Sequence, residues 1–251
     1  MTNFEIKWYK EIDSTNLEVS RKESEHNDFT IFAAEFQTAG RGQRGNKWES
    51  AIGRNLTFSI LLKPANLHPV NQFRISEVVA LGVVSYLQSK GLSPKIKWPN
   101  DIYVDDLKIC GILIEHSIIN DRLSVSIAGI GVNVNQTSFQ SDAPNPTSLI
   151  LELRKRIDPS AELLSLTDEL PVLAAHINGY YSRMNIDYKA IEEEYLSKLY
   201  RKNIVSKFID MRTDKEFMGS IQGIDKNACL IIKDTDNQDR HFTFKELKYI
   251  I

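Results

Sequence analysis

The sequence predicts a mixed α/β (α+β) domain, a β-sheet flanked by helices, followed by a small β module. Three observations carry this. Buried-strand runs such as F-T-I-F-A-A-E-F (29–36) and N-L-T-F-S-I-L-L (55–62) are interleaved with helical stretches through residue 200. Residues 71–90 carry Ile75, Val78, Val79, Val83, Tyr86 and Leu87 at helical spacing, and Gly91 with Pro94 ends the run. Beyond about residue 202 the texture changes to short strands with turns at T-D-K and D-K-N. At 251 residues the chain has room for both parts, with the division expected at 1–200 and 201–251.

The elements follow in order. An opening strand is expected at 4–9, and Thr15 with Glu18 matches a capping box, so a helix is expected to begin there. The strand at 29–36 runs into a glycine-rich loop, and 55–62 leaves it. After the long helix come strands around I-K-W (96–98), I-C-G-I-L-I-E (109–115) and R-L-S-V-S-I-A-G-I (122–130), with a hairpin turn on Asp105 and Asp106. Residues 135–148 are polar and proline-bearing, a loop. Residues 149–200 read as helical, with Pro171 breaking or starting one segment. Short strands follow in I-V-S-K-F-I-D, F-M-G-S-I-Q-G-I, A-C-L-I-I and R-H-F-T-F.

Composition narrows the function classes. Hydrophobic residues are 42% and charged residues 25%, ordinary for a globular protein. Lys and Arg total 31 against 33 Asp and Glu, so no global basic field exists for coating DNA. Cys110 and Cys229 sit in apolar runs and read as two buried free thiols in a reducing cytosol. His26, His68, His116, His176 and His241 are scattered without metal-ligand spacing, so no zinc site built by the protein is expected. The N-terminus has no uninterrupted apolar h-region, and no stretch approaches the roughly 20 apolar residues of a membrane span. A cytoplasmic protein with no membrane and no DNA partner is expected.

The glycine loop, Q-T-A-G-R-G-Q-R-G-N-K-W (37–48), spells G-x-G-x-x-G with Gly40, Gly42 and Gly45. A dinucleotide-binding turn needs a helix opening on the last glycine and an acid closing the next strand. Neither is present: the loop leads through Gly53 into a strand that ends Leu-Leu-Lys-Pro. The positions between the glycines are Arg41, Gln43 and Arg44, and guanidinium groups on a flexible loop suit gripping phosphate oxygens. Three other stretches carry polar groups at strand ends. K-W-P-N-D (97–101) places Lys97, Asn100 and Asp101 around Pro99, Lys108 opens an otherwise apolar strand, and G-I-G-V-N-V-N (129–135) sets two glycines before Asn133. Taken singly, these are a turn exit, a solvated strand end and a bulged strand.

Together and in this order, S-T-N, Q-T-A-G-R-G-Q-R-G-N-K-W, K-W-P-N-D, K-x-x-G-I-L-I-E and G-I-G-V-N resemble the biotin–protein ligases, from about Ile12 to Asn135. The resemblance continues more faintly to M-G-S-I-Q-G-I-D-K-N-A-C-L-I-I, which looks like that family's C-terminal SH3-like barrel. It implies a sheet of the class II aminoacyl-tRNA-synthetase/biotin-ligase type and a two-step reaction with biotin, ATP and Mg²⁺. Biotin would be activated as biotinyl-5′-AMP and passed to one lysine of a biotin carboxyl carrier protein. By position, the resemblance makes Arg41 and Lys108 the groups on the reacting carboxylate and α-phosphate, with Asp101 beside them. A role for Asp101 in accepting the acceptor lysine's proton is a hypothesis that rests on the need to deprotonate an ammonium near pH 7. Ser14, Thr15 and Gln37 match the groups that read the ureido ring, and Asn16, Gly40, Trp48 and Gly111 complete the biotin set. Lys97 and Asn100 match groups at the phosphates and their Mg²⁺, and Asn133 a nucleotide contact. Gln43, Arg44 and Asn46 fall in the phosphate loop, and the metal is expected to arrive with ATP rather than in a protein-built site.

Two departures stand out. The family loop commonly reads G-R-G-R-x-G-R-x-W, so Gln43 and Asn46 replace two arginines, and weaker retention of the adenylate is expected. S-T-N arrives at residues 14–16, which leaves no room before it for the helix-turn-helix domain that some members carry, so a repressor role is not expected. Two alternatives stay open: a lipoate–protein ligase of related architecture, and a sensor that holds an adenylate without transferring it. Nothing in the sequence chooses between monomer and homodimer.

Overall fold

The computed structural model describes residues 4–140 and 145–251; residues 141–144, within the expected loop, and the Arg44 side chain lie outside the described residues. The chain opens with β1 (Ile6–Ile12), α1 (Thr15–Lys22) and β2 (Thr30–Gln37). Then come β3 (Leu56–Leu62), α2 (Phe73–Ser89), β4 (Pro94–Lys97), β5 (Asp101–Val104), β6 (Leu107–Ile119) and β7 (Arg122–Val132). These strands form one mixed sheet in the order β1-β2-β3-β7-β6-β5-β4. Only β1 and β2 run parallel, because α1 carries the chain back between them; the other neighbouring pairs are antiparallel, β3 meeting β7 across the long connection through α2 and β4–β6.

Both sheet faces are covered, which is why β3 is buried at every position. One face packs Val19 of α1 against Phe32, Leu61, Val125 and Ile127. The alternate positions, among them Ile31, Phe58, Ile60 and Ile130, join the larger core under α2. Three more helices follow: α3 (Leu149–Arg156), α4 (Leu166–Arg183) and α5 (Tyr188–Ser197). Helix α4 lies so close on α2 that a Cβ on Gly82 would stand 2.5 Å from the Ile177 Cα.

Three sequence expectations need correction. The opening strand runs Ile6–Ile12 rather than 4–9, its register set by pairing with Ile31–Gln37. Ser14, not Thr15, is the N-cap of α1, and neither hydroxyl caps it; Glu18 pairs with Lys22 and Arg21 instead. Pro171 neither breaks nor starts a segment but sits inside α4. It forfeits one backbone hydrogen bond near the helix start, and burial of Leu170, Leu173, Ala174 and Ile177 carries the helix across it.

Residues after α5 build a second, antiparallel sheet from β8 (Val205–Asp210), β9 (Lys215–Ile224), β10 (Leu230–Asp234), β11 (Asp239–Phe242) and β12 (Leu247–Tyr249). Its order is β11-β10-β9-β8-β12. Strands β5 and β12 were not expected: four and three residues are too few to show a period, and each is held by pairing, β5 between β4 and β6 and β12 on β8. Among the described residues no helix is long and apolar enough to cross a membrane.

One buried carboxylate makes stability depend on pH. Glu77 of α2 faces α5, where it accepts a hydrogen bond from the Tyr188 hydroxyl. Burial lifts its carboxyl from 4.5 to about 7 despite that bond. A raised pKa means the folded state binds the proton more tightly, so the contribution is full below the unfolded value and is lost as pH rises through about 7. Glu77→Gln is therefore expected to match the wild type at pH ~4 and to be more stable at pH ~8, by up to ~3 kcal/mol. Thermal unfolding at the two pH values checks it; an equal difference at both would refute the assignment.

Candidate functional site

The site begins as a row of residues that cross-strand pairing fixes on one face of the sheet. Thr57 of β3 lies opposite Gly131 of β7, Gly131 opposite Gly111 of β6, Gly111 opposite Asp101 of β5, and Asp101 opposite Lys97 of β4. The parallel row beside it is Ser59, Gly129 and Leu113. Three glycines in the middle of a sheet leave a trough where side chains would otherwise stand.

The glycine loop closes over this trough. It folds back on itself as a short hairpin, with Trp48 N–H donating to Gly40 O at 3.1 Å and Gly42 N–H to Asn46 O at 2.7 Å. Residues Gln43–Gly45 form a single 3-10 turn, and Gly45 has the positive φ (82°) that lets the chain reverse. The return strand lays the Trp48 indole on the sheet: a Cβ on Gly131 would stand 2.3 Å from its ring and one on Gly111 2.9 Å. The indole N–H is buried with no hydrogen-bond partner.

At one end of the trough is a cluster of small polar groups. Gln37 Oε1 accepts from Thr15 N–H at 2.7 Å and from the Thr15 hydroxyl at 3.0 Å. The Ser59 hydroxyl lies 2.7 Å from Thr15 Oγ1 and 2.6 Å from Asn16 Oδ1. Its single proton goes to Asn16 Oδ1, which can only accept. Asn16 Nδ2 donates to Glu115 at 2.7 Å, and the other Glu115 oxygen takes Arg41 at 2.7 Å. Gln37 takes the first N–H of α1, and the Ser14 side chain makes no cap bond to the helix.

At the other end lie the charges. Lys108 Nζ is 2.7 Å from Asp101 Oδ1, both largely shielded from water, and stands over the Trp48 ring. Asn100 grips the edge of β6 twice, accepting Ile112 N–H on its backbone oxygen and donating its side-chain amide to Ile112 O, each at 2.9 Å. Both cations thus rest on carboxylates of the protein, Arg41 on Glu115 and Lys108 on Asp101, which an anionic ligand can replace.

Most of the residues expected from sequence meet here: Ser14, Thr15, Asn16, Gln37, Arg41, Gln43, Trp48, Asn100, Lys108 and Gly111 line one cleft. Gly40 sits behind it against the Trp48 backbone. Asn46 closes the loop hairpin away from the cleft, and Asp101 enters through its bond to Lys108. Lys97 lies at the end of the row, against the rings of Tyr103 and Tyr249. Asn133 is buried beyond the cleft; its amide donates to Thr147 O at 2.9 Å and its Oδ1 has no hydrogen-bond partner. Sequence reasoning did not single out Thr57, Ser59 and Glu115. Thr57 and Ser59 had a signal, two hydroxyls at alternate positions of an otherwise apolar strand. A second cleft adjoins the first at Gln43, Asn100 and Ile112, bounded by the start of α2, His116 and the turn at Asn227 and Ala228.

Comparison with known proteins matches this arrangement. The Biotin/lipoate A/B protein ligase family is matched over residues 8–133, which contain both rows and the loop. A chloroplastic biotin–protein ligase of Arabidopsis thaliana is 29% identical over 92% of the chain, which spans 63% of that protein's length. A biotin–[acetyl-CoA-carboxylase] ligase of Paracoccus denitrificans is 27% identical, covering 88% of this chain and 91% of its own. Among solved structures, the biotin protein ligase of Aquifex aeolicus in complex with biotin and ATP aligns over 98% of this chain and 99% of its own, with a TM-score of 0.77 and 25% identity. The matched region holds the loop, the glycine trough and the paired charges, and the chain belongs to the biotin/lipoate A/B protein ligase family.

Proposed function

We propose that this protein is an ATP-dependent biotin–protein ligase that biotinylates a lysine of a biotin carboxyl carrier protein through biotinyl-5′-AMP. The observation that carries this is the polarity of one cleft. Small hydroxyl and amide groups stand at one end, an indole over glycines in the middle, and Lys108 on Asp101 at the charged end, with Arg41 of the loop held on Glu115 beside the polar cluster. Biotin has the same order: a ureido ring with two N–H donors and one carbonyl, an apolar body, and a carboxylate. The Thr15, Asn16, Gln37 and Ser59 groups suit the ureido ring, and the unpartnered Trp48 N–H offers one more donor to a ligand.

In the first step a biotin carboxylate oxygen attacks the α-phosphorus of ATP, and the bond to the bridging oxygen breaks to release pyrophosphate. Lys108 leaves Asp101 for the carboxylate and α-phosphate, and Arg41 leaves Glu115 as the loop settles on the ligand. Closing the loop also keeps water from the anhydride. In the second step the acceptor amine attacks the acyl carbon, AMP leaves, and the amine loses a proton, for which Asp101 is the nearest carboxylate to Lys108. Magnesium carried in with ATP would neutralise phosphate charge, and the chain would contribute the Asn100 amide and Lys97, which stand at the end of the strand row. Residues 201–251 are proposed as a small SH3-like module beside this ligase body, with the second cleft as the side from which the acceptor lysine enters.

The deciding experiment is transfer of labelled biotin to a carrier domain with ATP and Mg²⁺. Transfer supports the ligase; binding of biotinyl-AMP without transfer supports a sensor, and exchange that requires lipoate supports the lipoate enzyme. The loop makes a finer prediction. Gln43 lines the cleft where the family has arginine, so Gln43→Arg is expected to slow adenylate release by about tenfold through one added charge-assisted hydrogen bond. An unchanged off-rate would sink that account.

A further inference from the structure

Lys97 is held by a residue from the far end of the chain. Its ammonium stands 5.1 Å from the Tyr103 ring centre and 4.8 Å from that of Tyr249, which β12 carries in from the second sheet. Tyr249 is fixed by an edge-on contact with Phe208 at 5.3 Å, and Tyr200 bridges it to Tyr103, at 6.2 Å and 5.4 Å. An ammonium against two aromatic faces is attracted by the ring quadrupoles. Neither the Tyr103 nor the Tyr249 hydroxyl bonds to another group, so what these residues offer Lys97 is ring face. Lys97 lies opposite Asp101, which holds Lys108 at 2.7 Å, so the rings back onto the reacting centre.

We infer that Tyr249 is a positioning residue for adenylation: the C-terminal sheet holds the Lys97 ammonium between its own aromatic ring and Tyr103, and so sets where the phosphates of ATP are met. This rests on the reading of Lys97 as a phosphate-binding group. It gives residues 201–251 a defined task in the first step, independent of any part in receiving the acceptor. The two ring faces narrow the positions open to the long Lys97 side chain.

The test is biotin-dependent ATP–pyrophosphate exchange by the full chain, read as KM for ATP, KM for biotin and kcat. Tyr249→Phe keeps the ring and is expected to stay within about twofold of the wild type, whereas Tyr249→Leu raises KM for ATP about tenfold. Progressively fluorinated phenylalanines at 249 drain the ring face at nearly constant shape. They are expected to raise KM for ATP in graded steps, with KM for biotin little changed, a trend that mere packing does not produce. Should Tyr249→Leu fail to fold, the fluorinated series decides alone. Lys97→Met separates the two readings. If it raises KM for ATP while the fluorinated variants all match Tyr249→Phe, the role of Tyr249 is overturned and that of Lys97 stands. If Lys97→Met leaves KM for ATP at the wild-type value, the phosphate reading fails and this inference with it.

Discussion

Lys108→Gln is expected to lower biotin-dependent pyrophosphate exchange by about 10²–10³-fold, the usual effect of removing one donor aimed at developing charge. The side chain holds Asp101 at 2.7 Å on the glycine row, and a shift between that carboxylate and the ligand's oxygens needs no movement of the backbone. A glutamine keeps most of the volume and loses the charge. It also leaves the Asp101 carboxylate, shielded from water, without its cation, which costs about 1–3 kcal/mol of stability. The double variant Lys108→Gln/Asp101→Asn separates these effects: stability should return and exchange should not. If exchange recovers with stability, Lys108 supports the fold and has no part in the chemistry. Asp101→Asn alone is expected to slow transfer from preformed adenylate; transfer and adenylation both at the wild-type rate would exclude Asp101 as the group that takes the acceptor's proton.

Gly129→Ala should raise KM for biotin by about 10–100-fold, which corresponds to losing two or three hydrogen bonds, one of them charged. A Cβ on Gly129 would stand 2.2 Å from Asn16 Oδ1, closer than any side chain tolerates. Asn16 must then leave its place, and with it go the bonds from Ser59 and to Glu115. The Glu115 carboxylate would keep Arg41 alone, so the resting position of the loop changes too. Gly179→Ala is the control, because nothing lies within 4 Å of that position in α4 and alanine there favours the helix. Steady-state exchange with thermal unfolding of both variants checks the expectation. A wild-type KM for biotin in Gly129→Ala would remove Asn16 from the biotin site.

The legible parts of the site were those whose chemistry is unusual for their position. Arginines between glycines, a lysine opening an apolar strand and a polar K-W-P-N-D stretch announce themselves in one dimension. The main elements were legible for a related reason, since α2 and the buried strands have clear periods. Pro171, the cap of α1 and strands β5 and β12 were misread or missed because tertiary burial and pairing outweighed local preference there. Ser59 escaped notice, and Glu115 counted only as the last letter of K-x-x-G-I-L-I-E, because a serine and a glutamate are ordinary letters until the partners are known. Their meaning lies in contacts spanning 44 and 99 residues of sequence, Ser59 to Thr15 and Glu115 to Asn16.

By itself, then, the sequence determined the kinds of group available and their order along the chain: arginines between glycines, a strand-end lysine, amides and hydroxyls near the start, and glycines in two strands. Only the tertiary structure decided which of them meet. Cross-strand register put Gly111, Gly131, Asp101 and Lys97 in one row, the folded loop laid Trp48 upon the glycines, and the C-terminal strand brought Tyr249 to Lys97. The physical reason is that register and loop closure are set by the burial of both sheet faces at once, a property of the assembled core that no local stretch of sequence carries.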